Sequence, residues 1–148
     1  MTVPLISPLF DNLPEKLVQE NIFKFCNPLT TRREVPYDRY FADLVSDRYI
    51  IEVKRCSQAS KSVGVHQPMG QVLYYSQAHR IVYGEQLTPV IMIYGLDYNK
   101  YLDPLFTQIR ESFGVELWLL VSIKQGLIYD PRDGEVKKLV DLLNTNLV

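Results

Sequence analysis

Tyr40-Phe41-Ala42-Asp43-Leu44-Val45-Ser46-Asp47-Arg48-Tyr49-Ile50-Ile51-Glu52-Val53-Lys54-Arg55 is the stretch on which the reading of this chain turns. Two apolar runs, FADLV and YIIEV, flank the polar Ser46-Asp47-Arg48, the pattern of a β-hairpin with a short turn. Alternation places Ala42, Leu44, Ile51 and Val53 on one face and Phe41, Val45 and Ile50 on the other. A sheet apolar on both sides is normally covered by helices on both. Asp43, Glu52 and Lys54 interrupt these runs. Glu52 and Lys54, two residues apart, share a face. Folding the hairpin about its turn sets Asp43 opposite Glu52, with Cβ atoms ~4.5–5.5 Å apart. Facing carboxylates repel, so Lys54 or a divalent cation must compensate, and oxygen-rich, partly hydrated sites suit Mg²⁺. Alone, an E-x-K on a strand is an ordinary surface pair. Inside near-continuous apolar strands, charges are costly unless paired or metal-bound.

Working outward, Pro14 followed by EKLVQENIFKFC reads as a helix ended by Asn27-Pro28, with Leu17, Val18, Ile22, Phe25 and Cys26 as its apolar stripe. Thr31–Tyr37 reads as a strand preceding the hairpin, and Ser57–Gly64 as a polar loop. Pro68–His79 reads as a helix, Val90–Tyr94 as a strand, and Tyr101–Phe113 as an amphipathic helix whose apolar stripe is Leu102, Leu105, Phe106, Ile109 and Phe113. Val115–Val121 is a buried strand and Gly126–Tyr129 a short one. Gly134–Leu147 is expected to close the chain as a helix, with Val136, Leu139, Val140 and Leu143 inward. The expectation is a single α/β domain over 1–148, a three-layer sandwich with a mixed sheet between helices. Its core is residues 14–95, and 101–148 complete the fold or an oligomer interface.

Composition narrows the classes. The 148 residues are 47% hydrophobic and 22% charged, values of one globular domain rather than of disorder, collagen or coiled coil. The longest apolar runs, Pro89–Tyr94 and Leu117–Val121, fall far short of the ~20 residues of a membrane span. Met1–Pro14 holds three prolines and no Lys or Arg, unlike a secretory leader. Cys26 and Cys56 are too few for a disulfide scaffold or a zinc site. A cytoplasmic, intracellular location is expected. Net charge is −1, but Thr30–Arg80 carries eight basic residues against five acids, a local +3 with flanks at −4. On charge alone a solvated face is the plainer reading, and a footprint for a polyanion the other. His66 and His79 lack ligand spacing and read as solvated or helix-capping. No G-x-x-x-x-G-K-[ST] or G-x-G-x-x-G occurs, so no nucleotide cofactor is expected.

Asp43, eight residues, then Glu52-Val53-Lys54 resembles the D-x(n)-[DE]-x-K signature of the PD-(D/E)xK nuclease superfamily, the restriction-endonuclease-like fold. The order α-β-β-β-α-β over about Pro14–Tyr94 is similar to that family's core. Gln71-Val72-Leu73-Tyr74-Tyr75 resembles the Q-x-x-x-Y motif of several branches, including recombination exonucleases and motor-coupled restriction subunits. Ala42 stands where the eponymous Pro would be, a departure common in the superfamily. The family's helix-borne acid matches Glu15 best, since Glu15 shares a stripe with Val18 and Ile22; Glu20 is the fallback.

The resemblance implies Mg²⁺-dependent hydrolysis of DNA phosphodiesters, with Mn²⁺ substituting. Asp43, Glu52 and the Val53 backbone carbonyl would be the metal ligands. Lys54 would steady the attacking water, Gln71 would orient Lys54 or the nucleophile, and Glu15 would bind a metal through water or support a second ion. Tyr75 would buttress that arrangement or touch a phosphate, core packing being its plainer reading. Arg32, Arg33, Arg55, Lys61 and Arg80 would contact phosphates. A homodimer or higher homo-oligomer is expected for double-strand cleavage, restriction or homing specificity remaining open. The alternatives are a non-enzymatic DNA-binding or assembly module that retains the fold, and a nuclease subunit of a larger recombination or restriction complex.

Overall fold

The computed structural model describes residues 13–26, 29–38, 40–55, 61–95 and 103–143, with the backbone alone described for 61–67 and 103. The elements run α1 (Glu15–Phe23), β1 (Arg32–Tyr37), β2 (Tyr40–Val45), β3 (Tyr49–Arg55), α2 (Lys61–Tyr83), β4 (Thr88–Tyr94), α3 (Asp103–Phe113), β5 (Glu116–Ser122), β6 (Leu127–Asp130), β7 (Glu135–Lys138) and α4 (Leu139–Leu143). The strands form one seven-stranded sheet in sequence order. β1, β2 and β3 are antiparallel neighbours, β3, β4 and β5 run parallel, and β6 and β7 return antiparallel. The sheet is therefore mixed and open.

Alternation along β4 and β5 defines the layers. Ile91, Ile93, Leu117 and Leu119 pack with Val72 of α2 and with Phe106 and Ile109 of α3. Val90, Met92, Tyr94, Trp118 and Leu120 pack with Val18 and Ile22 of α1 and with Leu139 and Leu143 of α4. Helices thus cover both faces, as the two-sided apolar strands require. All five residues of Val90–Tyr94 are fully buried, and each such side chain contributes about 1.5–3 kcal/mol. No helix among the described residues is long and apolar enough to cross a membrane.

Leu17 and Phe113, members of the expected helix stripes, are 41% and 50% exposed, and three further local expectations fail. First, residues 61–64, read as loop, already belong to α2, which continues through Pro68 to Tyr83; residues 57–60 lie outside the described set. Ser62, Val63 and Gly64 are weak helix formers, and the helix forms in spite of their propensity. Second, Gly134–Leu147 is not one helix. Glu135–Lys138 pairs with β6, Leu127 opposite Lys138 and Asp130 opposite Glu135, and Gly134 turns the chain at φ +73°. Helical spacing suited Val136, Leu139, Val140 and Leu143, yet Val136 and Val140 are 47% and 42% exposed. Satisfying the edge of β6 outweighs that periodicity. Residues 144–147 are outside the described set. Third, Ala42 does not share a face with Leu44. It packs with Val45 and Ile50 in the cluster that includes Tyr75 of α2, while Phe41 is 57% exposed.

Candidate active site

The displacement of Ala42 has a local cause that also delivers Asp43. The Ser46 turn closes the β2–β3 hairpin: Ser46 N–H donates to the Tyr49 carbonyl at 2.8 Å, and Ser46 Oγ accepts from Tyr49 N–H at 2.9 Å. Val45 pairs with Ile50 and Leu44 with Ile51, the register that sets position 43 against 52. The ladder of paired residues goes no further. Instead Asp43 Oδ2 accepts Val53 N–H at 2.8 Å, so the side chain does what the next backbone carbonyl would have done.

On the other side of β2, Arg33 pairs with Leu44 and Val35 with Ala42, leaving Glu34 and Asp43 facing without a ladder pair. Glu34 sits at φ +49°, a left-handed conformation that costs a non-glycine residue about 1–2 kcal/mol. Both strands change face there. Arg33 turns to α1, its guanidinium 5.7 Å from the Phe23 ring centroid, and Val35 and Ala42 turn to the cluster beneath α2. Asp43 occupies the crossover and reaches toward β3.

Glu52 and Lys54 alternate with Ile51 and Val53, which pack on α1's side. They therefore project with Asp43 into a cavity of about 250 Å³ that Glu15, Lys16, Gln19, Glu34, Val53 and Gln71 also line. The walls come from α1, β1, β2, β3 and α2. Lys54 Nζ lies 3.8 Å from Glu15 Oε2, and the same oxygen accepts Arg55 N–H at 2.9 Å. The acid at the start of α1 is thereby pinned to the end of β3.

Burial controls the electrostatics. Glu52 is 6% exposed, and its Oε2 has no hydrogen-bond partner among the described residues. Desolvation, followed by the hydrogen bond to Asp43 and its charge, pushes the Glu52 carboxyl up to about 10, against a smaller pull from Lys54. Asp43 is also raised by burial, although Glu52 and Val53 N–H both donate to it. At neutral pH the pair keeps a proton, donated by Glu52 to Asp43. Tyr75, 3% exposed, is pushed up to about 12 by burial and then by the charges of Glu52 and Asp43.

The donor set fits a small, hard divalent cation in place of that proton. Two carboxyl groups, one with an orphaned buried oxygen, are what Mg²⁺ uses when it keeps most of its water. Among the described residues no three His, Cys, Asp or Glu side chains are gathered as a ready-made metal cluster. Glu15 belongs to Lys54 instead of completing one.

Glu15, Asp43, Glu52, Val53, Lys54 and Gln71 thus meet around one cavity. Glu20, the fallback acid, pairs with Arg33 at 3.7 Å. Tyr75 packs in the core, where its ring stacks with Tyr37 at 5.9 Å, and lies near enough to Glu52 and Asp43 for their charges to bear on its hydroxyl. The proposed phosphate contacts separate. Arg32, Arg55 and Arg80 are exposed, but Arg80 stands nine residues along α2 from Gln71, ~13 Å at helical rise. Arg33 is occupied internally, donating to Gln19 Oε1 at 3.2 Å. The side chain of Lys61 lies outside the described residues, as does that of His66. His79 is neither solvated nor capping: it is 2% exposed, with Nδ1 2.8 Å from Tyr37 Oη and Nε2 3.1 Å from Glu85 Oε1.

Gln19, Lys16 and Glu34 were not anticipated in the sequence. Gln19 matters most, because it is 3% exposed and its Nε2 donates to the Asp43 carbonyl at 2.9 Å. Its position one turn beyond Glu15 and beside Val18 is the signal that would have found it. Comparison with protein-family models, curated proteins and solved structures finds no match for this chain, so its functional reading rests on this geometry.

Proposed function

We propose that this chain is an Mg²⁺-dependent deoxyribonuclease with a restriction-endonuclease-like core. The observation that carries the reading is the meeting of Glu15, Asp43, Glu52, Lys54 and Gln71 around one cavity, with Glu52 Oε2 buried and without a hydrogen-bond partner among the described residues. Asp43, Glu52 and the Val53 carbonyl would hold Mg²⁺ or Mn²⁺, which supplies Lewis acidity toward a phosphate oxygen and an acidified water. Lys54, a compact point charge braced by Glu15, steadies the nucleophile and the charge developing on phosphate. Gln71 lends a hydrogen bond from α2, and Tyr75 holds Glu52 in place from beneath. Arg32 and Arg55 contact the flanking backbone. One such site cuts one strand, so cleavage of a duplex requires two copies of the chain.

The test is incubation with supercoiled plasmid and Mg²⁺, with an EDTA control, alongside Lys54→Ala and Asp43→Ala. Metal-dependent nicking that both substitutions abolish is expected. DNA binding without cleavage in Mg²⁺ or Mn²⁺ refutes the enzyme and leaves a DNA-binding module on this fold. Nicking that survives both substitutions refutes the assignment of the site.

A further inference from the structure

Beside the carboxylate cavity, and joined to it through Gln71, lies a second hollow of about 300 Å³ lined by Tyr40, Gly70, Gln71, Tyr74 and Tyr75. None of these side chains carries a charge at neutral pH. Tyr40 and Tyr74 are 52% and 42% exposed, unusual for large rings flanking so polar a site. Their centroids are 5.9 Å apart with planes at 80°, and Tyr74 meets Tyr75 at 70°. Among the described residues no parallel ring covers either exposed tyrosine, so the two form an L-shaped notch with an open aromatic face. Gly70 keeps the notch empty, since a Cβ built there meets nothing within 4 Å. A glycine inside a helix costs about 1 kcal/mol relative to alanine.

We infer that Tyr40 and Tyr74 form a base-stacking subsite, so that the strand delivered to Lys54 is unpaired at the nucleotide beside the scissile phosphate. The inference rests on the nuclease reading for its substrate. An uncharged aromatic notch has nothing to gain from a phosphate, which Lys54 and Arg55 serve on the other flank, and a duplex presents only base edges and backbone. A splayed base presents a flat face, and stacking on an exposed ring is tolerant of sequence. Gln71 borders both hollows, so a base in the notch sits next to the phosphate that Lys54 would engage.

Binding is measured by fluorescence anisotropy without divalent cation, using a labelled oligo-dT and a blunt duplex of equal length. Tighter binding of the single strand is expected. Tyr74→Ala and the notch-filling Gly70→Leu should each weaken it roughly five- to a hundredfold, the range of one base–aromatic stack, while Tyr74→Phe retains it. Unchanged thermal melting of Gly70→Leu separates a filled notch from a damaged fold. A single abasic nucleotide at the stacking position should reproduce the loss in the wild type and add none to Tyr74→Ala. Equal binding of both DNAs, unaffected by Tyr74→Ala, overturns the inference. So does a dimer that Tyr74→Ala dissociates with single-strand affinity intact, which would make the notch an interface between copies. Stacking without cleavage under any metal refutes the nuclease and keeps the subsite; metal-dependent cleavage with single-strand binding unmoved by Tyr74→Ala does the reverse.

Discussion

Glutamine at position 52 keeps the volume of the side chain and can still donate a hydrogen bond to Asp43, but it cannot ionise. In the fold, burial and Asp43 raise Glu52 from 4.5 to about 10. Between those limits the folded chain holds a proton that the unfolded chain has lost. The stability this proton carries is fully present below about pH 4.5 and declines as pH rises toward about 10. The slope for one proton is about 1.4 kcal/mol per pH unit, or roughly 3 kcal/mol between pH 4.5 and 7. Glu52→Gln should therefore equal the wild type near pH 4.5 and exceed it by up to about 3 kcal/mol at pH 7 in EDTA. Urea unfolding followed by the fluorescence of Trp118, which is 1% exposed, reads this difference, and subtracting the two proteins cancels the titrations of groups outside the Asp43–Glu52 pair. Millimolar Mg²⁺ should raise the wild-type midpoint and leave the variant unmoved, because the cation competes with the proton for the same oxygens. Parallel curves for the two proteins from pH 5 to 8, or a variant weaker than wild type at pH 7, would show that Glu52 ionises normally and would refute the buried-proton account.

Gln19→Leu removes the bond to the Asp43 carbonyl and the acceptor 3.2 Å from Arg33, which keeps Glu20 at 3.7 Å; two lost bonds predict a loss of about 1–3 kcal/mol in urea unfolding, and a loss below about 0.5 kcal/mol would deny Gln19 its positioning role. Gly126→Ala combines φ +65° with a Cβ only 2.8 Å from the Phe25 ring, whereas Gly84→Ala meets open space at φ +71°. Thermal melting should therefore show the first variant weaker by ~1–3 kcal/mol beyond the shared left-handed penalty, and equal losses would contradict the packing of Phe25. Burial pushes the Cys26 thiol up to about 12, so in a Cys56→Ser background a disulfide reagent at pH 8 should label it only as fast as the fold opens; immediate stoichiometric labelling would place it at the surface.

Much of the candidate site was legible because its parts are local. The hairpin needs only a polar turn between two apolar runs, and that sets Asp43, Glu52 and Lys54 within one short segment. Glu15 was readable from Val18 and Ile22, both fully buried beside it in the fold. The inversion at Glu34 was not readable, since nothing in Arg33-Glu34-Val35 signals a left-handed residue. Regular alternation, extended through it, put Ala42 on the wrong face. The expected convergence of Asp43 and Glu52 stands, but by a different route: the carboxylate replaces a missing ladder bond where regular pairing ends. Arg33 looked like a phosphate contact and is held by Gln19 and Phe23, partners from another element.

Local sequence thus determined β1 to β6, the register of the β2–β3 hairpin and the chemical types gathered at its open end, because turn chemistry and alternation act between residues close in the chain. Tertiary structure decided the rest. Whether Glu135–Lys138 became helix or strand depended on an unfilled edge of β6. Whether Glu52 kept its proton depended on desolvation by distant segments of the fold, and the exposed faces of Tyr40 and Tyr74 exist only because β2 and α2 meet there. Burial and edge pairing are long-range quantities, and no short window of residues contains them.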